Sequence, residues 1–344
     1  MTKVVLDAFG GDHSPEEIVK GAVMALKKYD ELNIILTGDQ ERLEVLLESE
    51  DKNIREKIEI IDAKEIILNE EAPTVAIRTK RDSSLVKAFD AVRTNEEVAG
   101  FVGAGSTGAV LTGAFLKLGR IKGISRPALC PILPTKKGTN VAIIDCGANM
   151  DAKPINLVHF ALMGTAYLKS VYGIENPRVA LLNVGVEEHK GNDLSKEAFE
   201  LLSGLEGINF VGNMEARELL SGDYDLVVTD GFAGNVLLKS TEGAILSVLS
   251  MLKDEIKDGV MSKIGALLMK RVFKNLKAKL DYSKQGGAVL LGCKKLIVKS
   301  HGSSKAESIC ASIKQVIDMD KAKLVDLISD YVGKYDIEIE DKVE

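Results

Sequence analysis

The chain has 344 residues, 45% of them hydrophobic, enough for one large α/β unit or two smaller domains with a sizeable core. A net charge of −6, no tryptophan and only 5% aromatics argue against a nucleic-acid binder, whether general or stacking on single strands. Four cysteines without C-x-x-C spacing and four scattered histidines read as a reduced, cytoplasmic, metal-free protein.

In chain order, the first residues pass directly into an apolar strand pattern at Val4–Leu6, with no basic, cleavable leader. Further strands are expected at Ile34–Leu36, Ile58–Ile61, Val98–Val102, Leu129–Leu133, Val141–Ile144, Val179–Leu182, Ile208–Val211, Leu226–Val228, Val289–Leu291 and Leu296–Val298. Helical periodicity separates most of them, for example over Ile18–Leu26, Leu43–Leu47 and Leu157–Leu168. The alternation predicts a wound α/β fold with a mostly parallel sheet in an α/β/α arrangement. The first helix start reads as Ser14 at N-cap, Pro15 at N1 and Glu17 closing a capping box. No repeat or Pro/Ser-rich linker marks a boundary, so residues 1–344 are expected as a single α/β domain with a helical projection at about 245–283. No apolar run reaches the ~18 residues of a spanning helix.

Four strands break into small, polar, glycine-rich segments: Ala104–Ala109, Asp145–Asn149, Thr229–Asn235 and His301–Ser304. Strand ends of this kind gather at one edge of an open α/β sheet, where ligands bind. Glycine lets backbone N–H groups approach an anion, and hydroxyls and amides add donors, so the set predicts a cradle for a phosphate-like group. Gly103, Gly105 and Gly108 also spell G-x-G-x-x-G after a strand. A dinucleotide site would need an acidic residue about 20 positions on. The next acid is Asp145, and only an NADP variant served by Arg126 keeps that alternative open. His13, after Gly10 and Gly11, reads either as an anion binder or proton donor, or as a helix-flanking residue bonded to backbone. Cys146 has no histidine nearby in sequence and reads as a buried small residue rather than a nucleophile.

Two stretches break the acidic average. Ala109–Ile144 has no acid but carries Lys117, Arg120, Lys122, Arg126, Lys136 and Lys137; Gly259–Leu280 likewise carries Lys263, Lys270, Arg271, Lys274, Lys277 and Lys279. Each predicts an acidic partner or surface. As a helix, the second places Lys263, Lys270, Lys274 and Lys277 in one sector, opposite Ile264, Leu268, Val272 and Leu276. Two readings stand: a surface helix packed on its own core or a dimer partner, or an interfacial helix on an anionic membrane.

The blocks LDAFGGDHSPEEIVKGA (6–22), VGAGSTGAVL (102–111), IDCGANMDAKP (144–154), LNVGVEEHKGN (182–192), FVGNMEARELL (210–220), VVTDGFAGNVLLKSTEG (227–243) and KSHGSSKA (299–306) resemble, in order, the phosphate acyltransferases of bacterial phospholipid synthesis. Val186 and His189 depart from the family's pattern. The resemblance implies transfer of a long-chain acyl group from acyl carrier protein to inorganic phosphate, without a cofactor or metal. It implies a fold similar to phosphotransacetylases and isopropylmalate dehydrogenases, a homodimer, and peripheral membrane contact with a downstream glycerol-3-phosphate acyltransferase. Such a reaction needs a positioned phosphate and donors for a developing oxyanion. Gly105, Ser106, Thr107, Asn149, Asn235, Ser303 and Ser304 are the expected phosphate contacts. Lys239 is expected to balance charge, and His13 or His301 to donate to the oxyanion or protonate the thiolate. Lys117, Arg120, Lys122 and Arg126 are the expected dock for the acidic carrier protein. Lys263, Ile264, Leu268, Lys270, Val272 and Lys274 are the expected membrane contacts. The rival expectations are an NADP-linked hydroxyacid dehydrogenase and a membrane-bound scaffold for lipid-synthesis enzymes.

Overall fold

A computed structural model describes residues 1–280 and 286–335. Residues 281–283 of the expected projection and the last nine of the expected 1–344 unit lie outside the described residues, as does the Lys277 side chain. The described strands are β1 (Thr2–Asp7), β2 (Leu32–Gly38), β3 (Ile58–Asp62), β4 (Val98–Gly103), β5 (Ala128–Cys130), β6 (Ile132–Pro134), β7 (Asn140–Ile144), β8 (Arg178–Asn183), β9 (Asn209–Glu215), β10 (Leu226–Val228), β11 (Ala288–Leu291) and β12 (Leu296–Lys299). The α-helices are α1 (Glu16–Lys28), α2 (Gln40–Leu47), α3 (Lys52–Arg55), α4 (Pro73–Thr79), α5 (Ser84–Thr94), α6 (Thr107–Gly113), α7 (Pro154–Tyr172), α8 (Asp193–Ser203), α9 (Gly231–Lys257), α10 (Val260–Leu268), α11 (Lys270–Leu280), α12 (Ala306–Lys321) and α13 (Leu324–Lys334).

The strands form two sheets, ordered β3-β2-β1-β4-β12-β11-β5 and β6-β7-β10-β8-β9. Pairing is parallel except where β11 meets β12 and β5, and where β6 meets β7. The one strand expected over Leu129–Leu133 is therefore two, one in each sheet. Pro131 stands between them. A proline has no N–H for a continuous ladder, and the chain changes sheets there.

Strand alternation sorts side chains into layers. In β1, Val4 and Leu6 enter a central core while Val5 enters another on the opposite face. The central core also takes Ala142 and Ile144 of β7, Val179 of β8 and Val228 of β10, so both sheets contribute to it. Every residue of α7 from Asn156 to Leu168 is buried, as expected of a helix that is apolar all round. The result is an α/β/α fold with mostly parallel sheets, as the alternation predicts.

The start of α1 differs from the expected capping box. Pro15 is at the N-cap position with no side-chain cap, and the Ser14 hydroxyl donates to the Gly11 carbonyl instead. Glu17 reaches across to accept the first N–H of α12, from Ala306 (2.9 Å). The two helices approach so closely that a Cβ at Gly21 would sit 2.6 Å from Ile309. Glu17 is thus used between helices, which local spacing does not reveal.

The helix expected over Gly259–Leu280 is divided at Met269 into α10 and α11, and α9 runs 27 residues up to it. Only Gly231, Gly234 and Leu237 of α9 are buried; beyond them Leu246, Met251, Leu267 and Leu268 are exposed. Packing on the protein's own core, one half of the first reading of this segment, is not what the single chain does. No helix among the described residues is long and apolar enough to cross a membrane.

Candidate functional site

Parallel neighbours send their C-terminal loops to the same edge. In the first sheet these are the loops after β1, β4 and β12. Asp12 N–H donates to the Gly302 carbonyl (2.8 Å) and Ser300 N–H to the Gly103 carbonyl (2.9 Å). Gly10 and Gly11 allow the contact. A Cβ on Gly10 would lie 2.8 Å from the Gly105 nitrogen, and Gly11 has φ +103°. In the second sheet the loops after β7 and β10 interlock, with Thr229 N–H on the Ile144 carbonyl (2.7 Å) and Asp145 N–H on the Thr229 carbonyl (3.0 Å). Gly234 brings the first turn of α9 onto this knot, for a Cβ there would be 1.9 Å from the Asp145 carbonyl oxygen.

Between the two groups of loops lies a cleft of about 590 Å³. Gly105, Ser106, Thr107, Lys299 and His301 line one side; Cys146, Gly147, Asn235, Lys239 and Glu242 line the other. Six residues expected from the sequence meet here: Gly105, Ser106, Thr107, Asn235, Lys239 and His301. Four others do not line the cleft. His13 is exposed on the loop after β1. The Asn149 amide is turned inward, donating to the Pro127 carbonyl (2.8 Å) and Asp145 (2.9 Å). The Ser303 hydroxyl is hydrogen-bonded to Nδ1 of His301 (2.8 Å), so it orients that ring. Ser304 is buried against the Ser308 hydroxyl (3.3 Å).

The structure adds residues that the sequence reading missed. Lys299 ends β12, is 8% exposed, and its ammonium donates to the carbonyls of Ala104 and Ser300. It pairs with no carboxylate among the described residues. Burial pulls it down to about 8, against the opposing charge of Asp12. A lysine closing an otherwise apolar strand was the available signal. Glu242, one turn beyond Lys239 on α9, is partly buried, and burial pushes its carboxyl up while His301 and Lys239 oppose the shift. Asp145 is fully buried beneath the cleft and accepts from the backbone N–H groups of Leu129, Ala148 and Asn149, and from the Asn149 amide. Burial raises its carboxyl against those four donors. Asp145 holds the β7 loop in shape rather than facing a ligand.

Cys146 lines the cleft but is buried, with its Sγ on the Gly234 carbonyl (3.6 Å). Burial, with Asp145 nearby, drives its thiol well up, the reverse of what a nucleophile needs. Among the expected docking residues, Lys117 is bonded to both Asp90 oxygens (3.1 Å), and Arg120 lies over the Phe115 ring (5.6 Å). Lys122 and Arg126 are exposed.

Residues 2–326 match the family model described as fatty acid synthesis protein. The chain is 48% identical over 339 residues to a phosphate acyltransferase of Clostridioides difficile (strain 630), covering 98% of each. It is 45% identical over 332 residues to a phosphate acyltransferase of Bacillus cereus (strain B4264), covering 96% of this chain and 98% of that one. Among solved structures it resembles a branched-chain phosphotransacylase from Enterococcus faecalis V583 (TM-score 0.58, 15% identity, 93% and 99% covered). It also resembles a phosphotransacetylase from Streptococcus pyogenes (TM-score 0.55, 18% identity, 96% and 94% covered). At such identities the structural likeness carries the fold alone. The sequence matches carry more, and by them this chain belongs to the phosphate acyltransferase family.

Proposed function

We propose that the protein moves a long-chain fatty acyl group from acyl carrier protein to inorganic phosphate, releasing acyl phosphate for phospholipid synthesis. The observation that carries this reading is the cleft, where Lys299 lies buried, with no carboxylate partner among the described residues, beside the Gly105–Thr107 turn, Asn235 and Lys239. Phosphate would be held by these donors and the first N–H groups of α6. One of its oxygens adds to the thioester carbonyl, forming the C–O bond and a tetrahedral oxyanion, whose collapse breaks the C–S bond and expels the thiolate. The tetrahedral oxyanion draws on the same donors. His301, its ring oriented by Ser303, would protonate the leaving thiolate. The buried, protonated thiol of Cys146 supports direct transfer without an acyl-enzyme. Arg120, Lys122 and Arg126 would face the acidic carrier, and the exposed α9–α11 projection would attach reversibly to an anionic membrane or a second copy in a homodimer.

The test is acyl phosphate formation by the purified, EDTA-treated protein from acyl carrier protein thioester and labelled phosphate, for wild type and Cys146→Ala. Both should form product. No product without added divalent metal, or an acyl adduct on Cys146 seen by mass spectrometry, would contradict the mechanism.

A further inference from the structure

The phosphate cleft has a neighbour. A second cavity, of about 350 Å³, is lined by Leu111, Phe115, Leu116, Pro127, Leu290 and Cys293, with polar contributions from Thr74, Thr112, Arg126 and Asn149. Leu111 belongs to both cavities, and the loop after β7 also serves both, with Gly147 on the cleft side and Ala148 on the other. The cavity's floor is buried, Leu290 at 3% and Cys293 at 2% exposed. Its mouth is formed by a π-helical turn over Ala114–Leu118 that continues α6. Widened turns of this type often mark functional sites. Here Phe115 and Leu116, adjacent in sequence, both line the cavity while remaining 47% and 44% exposed. Among the described residues no acid lines it, and basic residues border its mouth: Arg120 over the Phe115 ring, and Arg126 in the wall.

An apolar cavity joined to an anion site, with a basic rim, fits a substrate with three chemically distinct parts. We propose that this cavity holds the fatty acyl chain of the thioester substrate. The chain enters past Leu111, so that the carbonyl stays in the phosphate cleft while the acidic carrier rests on the Arg120 and Arg126 rim. The assignment rests on the acyl-transfer reading above. It goes further by naming where the chain lies, which the chemistry of the cleft does not decide. A long chain gains by leaving water for such a pocket, whereas a short one leaves the pocket unused.

The chain contains no tryptophan, so Leu116→Trp places a single indole at the mouth. Its emission, titrated with lauroyl-pantetheine, should shift to the blue and saturate; pantetheine alone should leave it unchanged. Phe115→Trp repeats the measurement should the first variant not fold. In turnover, Phe115→Asp should raise KM for a long-chain thioester about tenfold relative to a butyryl thioester, a typical loss for a changed apolar contact. Emission that ignores lauroyl-pantetheine, or responds equally to pantetheine, overturns the assignment, as does an unchanged chain-length preference. Failure of the wild type to make acyl phosphate from any thioester would instead overturn the transfer reaction, and the indole would still report whether the cavity takes an alkyl chain.

Discussion

Lys299 is the residue on which the proposed chemistry of the cleft turns. Its side chain is buried at the end of β12 and its ammonium is held by two carbonyls, with no carboxylate bonded to it among the described residues. Burial lowers it to about 8, so it is mostly charged at neutral pH and loses its proton just above. Asp12 is the acidic charge acting on it, while Lys239, Glu242 and His301 share the cleft. A bound phosphate dianion would restore the proton's hold. Lys299→Met keeps the stem and removes the charge. It should raise KM for phosphate about tenfold to a hundredfold, the range for a lost charged hydrogen bond, with a smaller effect on KM for the thioester. In the wild type, KM for phosphate should climb as pH rises through 8. Stability moves the other way. Between about 8 and the ordinary value of 10.5, the unfolded chain binds more protons at this group than the folded one, so its contribution to stability rises with pH across that window. A phosphate KM that is flat from pH 7 to 9.5 in the wild type would remove Lys299 from the anion site.

At the scale of elements, the projection is the part of the fold that burial does not explain. Leu268 is 82% exposed and Met261 81%, while Lys263, Lys270 and Lys274 are exposed as well. A monomer seldom leaves so much contiguous apolar surface without a use for it. An anionic bilayer would take the apolar side chains and gain on the order of 1 kcal/mol from each nearby lysine. Leu268→Glu should therefore fold like the wild type by circular dichroism and keep soluble turnover, yet no longer float with anionic vesicles. Conversion of a wild-type dimer to monomers by this substitution, with vesicles ignored by both proteins, would assign the face to a second copy instead.

At the scale of the whole molecule, the two sheets share the central core. Leu6 and Val298 from one and Ile144 and Val228 from the other belong to a single apolar cluster with α7, α12 and α13. Such sharing couples the halves, and we expect one cooperative unfolding transition. The buried cysteines report on it. Cys130 and Cys293 belong with the first sheet and Cys146 with the second, and all three are buried in the folded protein. In increasing urea, mass-resolved thiol labelling should find them reactive over one concentration range. Separate ranges for Cys293 and Cys146 would show two independently unfolding units.

The apolar runs, each short and rich in β-branched residues, were enough to locate nearly every strand, because strand periodicity is local. The glycine-rich strand ends pointed to the cleft for the same reason: a glycine between a strand and a helix is needed where backbones approach closely, as at Gly10 and Gly234. Local reasoning could not see what depends on which strands become neighbours. The Leu129–Leu133 run became two strands because Pro131 interrupts the ladder and the partners available on either side belong to different sheets. Glu17 left its own helix because α12 lies across it, and Asn149 turned to Asp145 because the β7 loop closes on itself. Lys299 looked like the end of a strand, and only the packing of three loops around it buried its charge with no carboxylate bonded to it among the described residues. The types of group that could hold a phosphate were present in the linear order of residues; which of them line the cleft was decided by long-range packing, since burial and partnership are properties of neighbours in space.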